Sequence, residues 1–204
     1  SIVAGFIEKL ITLNIFKKII KNLKLLHLGS MKCPVFLRKK LIQKNKKMQL
    51  IINYGLTEAM RATFLNSKKN PNKITTEGKP FSGVKIKIKN KNNLDCKKNK
   101  MGNIHIKGKS LALGYLNSDH WNKKFNQGWF NTGDIGYLDN DGFLIYKTRE
   151  DNVLNIYGNT FVAEDIEQKL KLALKRKEII ILQADNSLKT SQGPIYVVVE
   201  GNFK

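Results

Sequence analysis

Residues 128–167 constrain the fold of this 204-residue chain more than any other segment. They concentrate glycine, aspartate and aromatic residues, whereas the surrounding sequence is rich in lysine and asparagine. Residues 131–136 predict a tight turn that leads into a strand, and the alternating residues 143–146 predict the return strand after a turn at 140–142. A β-hairpin is therefore expected here.

Two charged residues stand on this predicted hairpin. Asp134 would lie at the strand entrance, where a carboxylate can accept hydrogen bonds from two hydroxyl groups, as a ribose diol requires. Arg149 would end the return strand and bring several donors to the same diol or to a phosphate. Taken singly, such an aspartate is usually a turn former and such an arginine is usually solvated. Their spacing favours a shared ligand.

The chain is strongly basic, with 37 Lys and Arg against 16 Asp and Glu and a formal net charge of +21. Such an excess ordinarily suggests nucleic acid or an anionic surface as a partner. Here the excess is nearly all lysine, accompanies heavy use of asparagine and isoleucine, and lacks interleaved aromatic residues. We therefore expect a solvated basic surface without a specific nucleic-acid partner, and keep a basic polyanion-binding protein as an alternative.

Cysteine usage indicates a reducing, cytoplasmic compartment. Cys33 and Cys96 stand far apart without His or Cys at ligand spacing, so we expect neither a metal–thiolate site nor a disulfide framework. Charged residues interrupt the apolar stretch at 2–28, so no transmembrane segment is predicted. The histidines are expected to be structural or solvent-facing: His27, His105 and His120.

The first part of the chain predicts α/β organisation. Apolar residues at helical spacing between positions 6 and 24 predict one or two amphipathic helices. Short apolar runs at 25–28 and 50–52 are typical of buried strands, and Pro34 opens a helix predicted to end near Lys46. This order of elements places ligands at the carboxyl ends of the strands.

From residue 78 the pattern indicates a small antiparallel β unit. Residues 84–89 and 103–107 alternate with period two, as half-exposed strands do, and a polar loop separates them. After Arg149 the pattern predicts a strand pair at 153–161, a helix at 163–175 that begins with acidic residues, and strands at 179–182 and 195–199. A domain boundary is expected at 148–152.

The pentapeptide YGLTE at 54–58 directly follows the second buried strand. It offers on one loop an aromatic face for a base, a hydroxyl and backbone amides for phosphate, and a carboxylate for a hard divalent ion. The match alone is weak. It gains weight from Gly29-Ser30 before it and from Thr132-Gly133-Asp134, Arg149 and residues 151–167 after it.

In that order and at those intervals, the motifs resemble the adenylate-forming (AMP-dependent synthetase/ligase) superfamily, most of all its acyl-CoA synthetases. GSMKCP at 29–34 resembles the family's adenine loop, and YGLTE resembles its nucleotide and magnesium motif. GWFNTGDIGYLDNDGFL at 128–144 resembles the aspartate motif, and TREDNVLNIYGNTFVAEDIE at 148–167 resembles the hinge and first carboxy-terminal motif. Residues 78–88 and 102–117 are similar to segments of the family's β subdomain.

The resemblance implies a fold and a reaction. Residues 1–148 would form the C-terminal part of the large AMP-binding domain, with an α/β part at 1–77 and a β subdomain at 78–148. Residues 149–204 would form the hinge and the start of the α+β small domain. The family reaction is ATP-dependent carboxylate–CoA ligation, in which an acyl-adenylate forms and is then attacked by the coenzyme A thiol. ATP, Mg²⁺ and coenzyme A are the implied cofactors, and a small carboxylate is the implied substrate.

The resemblance also assigns nucleotide contacts. Tyr54 would stack on adenine against the loop of Gly29 and Ser30, with Gly55 beside it. Asp134 would bind both ribose hydroxyls. The same nucleotide would be supported by Arg149 and Tyr146.

Thr57 and Glu58 are the catalytic candidates that the resemblance implies. Thr57 would contact the phosphates, and Glu58 would hold the magnesium ion that bridges ATP. Asp151 would be the hinge for rotation of the small domain. Gly158 would lie on the loop that approaches the reacting centre in the coenzyme A step.

The sequence departs from the family pattern at several points. The phosphate loop and its lysine would lie upstream of Ser1, and residues 188–195 imitate the catalytic-lysine motif with Pro194 in place of the lysine. Met31-Lys32 replace the usual Ala-Pro, and Thr148 replaces the usual glycine before Arg149.

These departures predict a fragment that is inactive alone, with a complementary upstream fragment as a partner. A catalytically dead remnant with at most nucleotide binding is the alternative. We expect apolar surface to be exposed at Phe6, Ile11, Phe16 and the strand at 195–199, and poor solubility or association to follow.

Overall fold

The structure is a computed structural model that describes residues 4–12, 15–29, 32–116, 118–156, 159–174, 179–183 and 195–199. Two predicted site residues, Ser30 and Gly158, lie outside these ranges, as does Pro194. Within the described part of the chain, no helix is long and apolar enough to cross a membrane. By its internal contacts the chain separates into two units, Ser1–Thr132 with Gly136–Tyr146, and Gly133–Ile135 with Lys147–Lys204. The predicted domains, 1–148 and 149–204, stay predictions.

The first unit begins with the predicted α/β arrangement. Its successive elements are α1 (Ala4–Thr12), α2 (Phe16–Ile20), β1 (Leu25–Leu28), α3 (Val35–Lys44) and β2 (Gln49–Ile52). β1 and β2 pair in parallel, with Leu26 opposite Leu50 and Leu28 opposite Ile52. A parallel pair requires a crossover connection, which α3 supplies directly after Pro34.

The core of this part is apolar and draws on every one of its helices and strands. Leu28, Leu41 and Leu50 are fully buried, and burial of each such side chain contributes about 1.5–3 kcal/mol. Phe6 is half exposed, as expected. The prediction that Phe16 is exposed is wrong, because this ring packs into the core and retains only 8% exposure.

Antiparallel strands extend the sheet and then form a second one. β3 (Thr63–Asn66) and β4 (Lys79–Pro80) follow β2, in the order β1-β2-β3-β4. The second sheet uses β5 (Val84–Lys89), β6 (Gly102–Gly108), β7 (Phe125–Asn126), β8 (Trp129–Leu138) and β9 (Leu144–Arg149), with α4 (Ser118–Lys124) before β7. Its order is β5-β6-β8-β7, and β9 also pairs with β8.

Side-chain alternation explains the predicted strands of this second sheet. In β5, Val84, Ile86 and Ile88 are buried, and Ile86 lies opposite Ile106 of β6. The lysines between them point to the other face. The hydrophobic period of two therefore predicted both strands and their inward faces correctly.

The prediction of a tight turn at 131–136 is wrong. These residues form the middle of the continuous strand β8, so Asp134 lies inside the strand rather than at its entrance. Asn, Gly and Asp favour turns locally, but burial alternates along the whole strand, and pairing with β6 overrides that preference. Gly133 accommodates a local irregularity with a φ of +72°. A Cβ at Gly136 would lie 2.4 Å from the carbonyl oxygen of Ile145, so this position requires glycine.

The second unit contains the elements predicted after Arg149. They are β10 (Val153–Ile156) paired with β11 (Asn159–Val162), α5 (Ala163–Leu174), and β12 (Ile179–Gln183) paired with β13 (Ile195–Val199). Thr148 and Asn152 both donate hydrogen bonds to the Glu164 carboxylate, which fixes the segment between them to the first turn of α5. Tyr196, Val197 and Val198 are about half exposed.

A buried ion pair holds α3 in the first unit. Arg38 is 1% exposed, and its guanidinium donates to the Glu77 carboxylate at 2.7 Å. It also donates to the carbonyl oxygens of Cys33 at 2.8 Å and Thr76 at 2.9 Å. The buried charge is therefore paired and hydrogen-bonded on several sides, which its removal from water requires.

A partly buried charge cluster holds the β8–β9 connection. Lys73 donates to the carboxylates of Asp139 and Asp141, and the N–H of Phe143 donates to Asp139 at 2.8 Å. Burial on its own would raise the pKa of Asp139, but the hydrogen bonds from Lys73 and Phe143 hold that pKa below its ordinary value. Hydrogen bonds to both carboxylates raise the pKa of Lys73.

We predict that Arg38→Met lowers the free energy of unfolding by about 3–5 kcal/mol, because Glu77 would remain buried without its charged partner. Urea unfolding of the purified chain measures this change. Lys39→Met, at the exposed neighbouring position, should change stability by less than about 0.5 kcal/mol. The double variant Arg38→Met/Glu77→Leu should recover part of the loss. If the double variant instead lost the sum of the stability losses of the two single variants, the two residues would not act as a coupled pair.

We predict that Asp139→Asn flattens the acid limb of the stability profile. A carboxyl whose folded pKa lies below its ordinary value of 3.8 stabilises the fold above that value, and the contribution is lost as pH falls through the folded pKa. Urea midpoints measured between about pH 2 and pH 7 test this. Lys73→Met should flatten the acid limb as well, because Lys73 is one of the donors that hold the pKa of Asp139 below its ordinary value. An acid limb that is unchanged in Asp139→Asn would contradict the prediction.

Candidate functional site

A cavity of about 390 Å³ opens where the two parallel strands end. Because β1 and β2 run in the same direction, the residues that follow them meet at one edge of the sheet. The His27 ring and the Asn53 side-chain oxygen lie 3.1 Å apart across this edge. The residues that line the cavity are His27, Gly29, Asn53, Gly55, Leu56, Thr57, Met60 and Arg61.

The loop after β2 is a tight turn with Thr57 and Glu58 at its tip. Leu56 and Ala59 exchange main-chain hydrogen bonds of 3.3 and 3.1 Å across the turn. A Cβ on Gly55 would lie 2.6 Å from the main-chain nitrogen of Arg61, so only glycine fits this close approach. The local sequence therefore presents a hydroxyl and a carboxylate side by side at the end of a buried strand.

Tyr54 and Tyr146 form an aromatic pair in the first unit. Their ring centroids lie 5.9 Å apart with the planes tilted by 31°. The Lys32 ammonium lies 5.3 Å from the centroid of the Tyr146 ring, a cation–π contact made by one of the residues that depart from the family pattern. The structure thus brings together the two tyrosines that the sequence assigned to one pocket.

The Glu58 carboxylate accepts a hydrogen bond from the hydroxyl of Tyr115. Among the described residues there is no group of three His, Cys, Asp or Glu side chains that could hold a metal ion by themselves. A single carboxylate beside phosphate oxygens is nevertheless the donor set that Mg²⁺ commonly uses. The site therefore fits a magnesium ion that is shared with a phosphate ligand.

In the second unit, Arg149 lies between two carboxylates. Its guanidinium is 3.3 Å from Asp134, whose side chain is 7% exposed, and 3.5 Å from the exposed Asp151. Burial would lower the pKa of Arg149, but the charges of Asp134 and Asp151 raise it above its usual value. Glycine at 133 is favoured by the positive φ of +72° rather than by space, since a Cβ there would make an ordinary contact of 3.4 Å with the guanidinium. Asp134 is thus buried and oriented by its contact with Arg149.

Sequence reasoning missed several residues that the structure places at these sites. His27, expected to be structural or solvent-facing, lines the cavity together with Asn53 and Arg61. The rule that ligands bind at the carboxyl ends of parallel strands could have identified His27 and Asn53, because each lies one position from the last residue of a strand. No local signal identifies Tyr115 as the partner of Glu58.

Comparison with known proteins agrees with the motifs. Residues 3–116 match the family model described as AMP-binding enzyme. The 2-succinylbenzoate–CoA ligase of Bacillus licheniformis is 34% identical over 151 residues, which are 73% of this chain and 31% of that protein. The chain therefore spans about a third of the length of the curated relatives it matches.

Solved structures show the same fold. The O-succinylbenzoate coenzyme A synthetase of Bacillus subtilis, in complex with AMP, matches all of this chain and 41% of its own with a TM-score of 0.79 and 25% identity. A structure of the same enzyme with ATP and a magnesium ion matches with a TM-score of 0.76 and 23% identity, covering 100% of this chain and 42% of that one. The predicted fold class is confirmed.

We predict that Arg149→Met destabilises the second unit by about 1–3 kcal/mol, because the buried Asp134 carboxylate loses a charged partner. Amide hydrogen exchange in β10 and α5 measures the change. Asp151→Asn removes the exposed partner of the same arginine and should cost less than about 0.5 kcal/mol. Equal effects of the two substitutions would contradict the dominance of the buried contact.

Proposed function

Because this chain belongs to the AMP-binding enzyme family, we propose that it forms the nucleotide-binding part of an ATP-dependent carboxylate–CoA ligase. In the proposed reaction a small carboxylate attacks the α-phosphate of ATP, which gives an acyl-adenylate and pyrophosphate. The coenzyme A thiol then attacks the acyl carbonyl and releases AMP. The observation that best supports this proposal is the Thr57–Glu58 turn beside the cavity at the ends of parallel strands.

In this proposal the first unit binds the base and the phosphates. The Tyr54 and Tyr146 rings would provide the aromatic surface for adenine, with the backbone of Gly29 and Gly55 close by. The Thr57 hydroxyl, together with its neighbour Arg61 on the cavity wall, would donate to phosphate oxygens. Ser30, in the adenine loop, keeps the role that the family resemblance implies.

Glu58 would be the protein ligand of a magnesium ion. A magnesium ion held there would supply neutralisation of phosphate charge. The role of Glu58 itself is to present one carboxylate at the tip of a turn that main-chain hydrogen bonds hold rigid. Thr57 and Glu58 are therefore the proposed catalytic residues.

Asp134 would accept hydrogen bonds from both ribose hydroxyls. Its contact with Arg149 orients the carboxylate, whose two oxygens can accept one hydrogen bond from each hydroxyl. Asp151 is proposed as the hinge, and Gly158 as part of the loop used in the coenzyme A step.

The 204 residues contain neither the phosphate loop nor the catalytic lysine of the family pattern. We propose that turnover requires those groups in addition to the ones that these residues supply. The named relatives ligate 2-succinylbenzoate, which makes that acid the first carboxylate to test. A cytoplasmic location stays a prediction from the sequence.

A remnant that binds nucleotide without catalysis is the second candidate. The position of Lys32 over the Tyr146 ring favours it, because the ammonium occupies one face of a ring proposed for adenine. This candidate predicts ATP binding without pyrophosphate release under any complementation.

We predict that Thr57→Val and Asp134→Asn each weaken ATP binding about tenfold, which corresponds to the loss of about 1.4 kcal/mol. Isothermal titration calorimetry with ATP measures the dissociation constants. The matched controls are Thr75→Val and Asp141→Asn, at exposed positions away from the turn, and these should leave the affinity unchanged. ATP affinity that is insensitive to both site variants would reject the assigned contacts.

Catalysis requires a separate experiment. The chain is mixed with the parts of the Bacillus licheniformis ligase that precede and follow the matched region, and pyrophosphate release is followed with 2-succinylbenzoate, ATP and coenzyme A. Release that requires this chain as well as those parts, and that is abolished by Glu58→Gln, supports the ligase. ATP binding without release in the mixture supports the remnant.

A further inference from the structure

A tyrosine from a distant loop binds the proposed magnesium ligand. We call residues 109–116 the tyrosine loop. The hydroxyl of Tyr115 donates to Oε1 of Glu58, and the N–H of Ala112 donates to the main-chain oxygen of Glu58 at 2.8 Å. Leu111 of the same loop forms an isolated β-bridge with Ala59. The loop therefore fixes both the backbone and the side chain of Glu58.

Tyr115 is itself supported by buried aromatic rings. Its ring meets the Trp121 ring edge to face, with centroids 5.4 Å apart and an interplanar angle of 89°. Trp121 is 7% exposed and stacks on Phe125 at 5.4 Å and on the fully buried Phe130 at 4.9 Å. Because these rings interlock, the phenol hydroxyl reaches Glu58 from a rigid base.

The phenol bond does more than attach the tyrosine loop. The main-chain bond from Ala112 and the bridge at Leu111 already attach it to the turn, whereas the hydroxyl donates to the side-chain carboxylate. A carboxylate has two oxygens with about four acceptor positions. A donor on Oε1 restricts rotation of the group and leaves Oε2 in a defined direction.

We propose that Tyr115 is a positioning residue that orients the Glu58 carboxylate toward a divalent cation shared with a phosphate ligand. The proposal rests on the proposed function, which makes Glu58 the cation ligand. Magnesium requires nearly ideal octahedral geometry, and groups that orient a metal ligand affect metal affinity strongly. Tyr115 does not touch the cation or the substrate.

The test uses the 204-residue chain and its variant Tyr115→Phe, which removes only the hydroxyl. ATP affinity is measured by calorimetry with Mg²⁺ and again with EDTA. We expect the gain in affinity that Mg²⁺ provides to fall about tenfold in the variant. Affinity in EDTA should change less than about twofold. Tyr137→Phe, another half-buried tyrosine of the first unit, is the matched control and should retain the full gain.

A nucleotide-free measurement keeps this inference separate from the proposed function. Mn²⁺ alone is titrated into the ¹⁵N-labelled chain, and paramagnetic broadening of the amide signals of residues 57–60 is followed. Broadening should weaken in Tyr115→Phe and in Glu58→Gln, and the double variant should resemble Glu58→Gln alone. The exchange rate of the Ala112 amide should stay the same in Tyr115→Phe, since its bond is to the main chain.

Each outcome decides between the two proposals. If Mn²⁺ broadens the amide signals of the wild type but the chain does not bind ATP, the proposed function is rejected. The change in broadening in Tyr115→Phe then still tests the positioning role of Tyr115. Equal loss of ATP affinity with Mg²⁺ and with EDTA, or faster exchange at Ala112, shows that Tyr115 merely supports the loop and overturns the inference. Absence of broadening at residues 57–60 in the wild type overturns it as well.

Discussion

The parallel pairing of β1 and β2 is the constraint on which the candidate site depends. Because both strands point the same way, their following loops open at one edge and bring Gly29 close to the Thr57–Glu58 turn. Parallel pairing in turn requires α3 as the crossover, and α3 is held by the buried Arg38–Glu77 ion pair. A structural interaction away from the cavity therefore determines whether the cavity forms.

The local sequence pattern was sufficient to predict most of the helices and strands. β5 and β6 alternate apolar and polar residues, and this alternation can be recognised from a few neighbouring residues without knowledge of their tertiary contacts. The error at residues 131–136 has the opposite origin. Their composition is that of a turn, but pairing along β8 places them in a strand, and pairing partners cannot be identified from the local sequence. The burial of Phe16 was missed because the residues that pack against a helix likewise cannot be identified from the local sequence.

In the candidate site, too, the local sequence predicted some features and tertiary contacts determined the others. YGLTE predicted the residue types and their common loop, because a strand followed by a tight turn is encoded within a few positions. The contact between Tyr115 and Glu58 spans 57 positions of sequence, and no spacing rule relates such distant residues. Arg61 lies closer, yet its place on the cavity wall depends on the close approach that Gly55 permits. The motifs therefore predicted which chemical groups the site contains better than they predicted which residues contact those groups.

The charge distribution explains why composition says little about function here. Lysines outnumber acids in this +21 chain as a whole, and a solvated lysine costs little wherever it stands. Three acidic residues, two at the candidate sites and one in the core, each accept from a specific donor: Tyr115 for Glu58, Arg149 for Asp134, and Arg38 for Glu77. A carboxylate that is held by a donor and withdrawn from water is costly unless that partner is present. In a chain with few acids, the position of each partnered carboxylate is thus more informative about function than the large excess of positive charge.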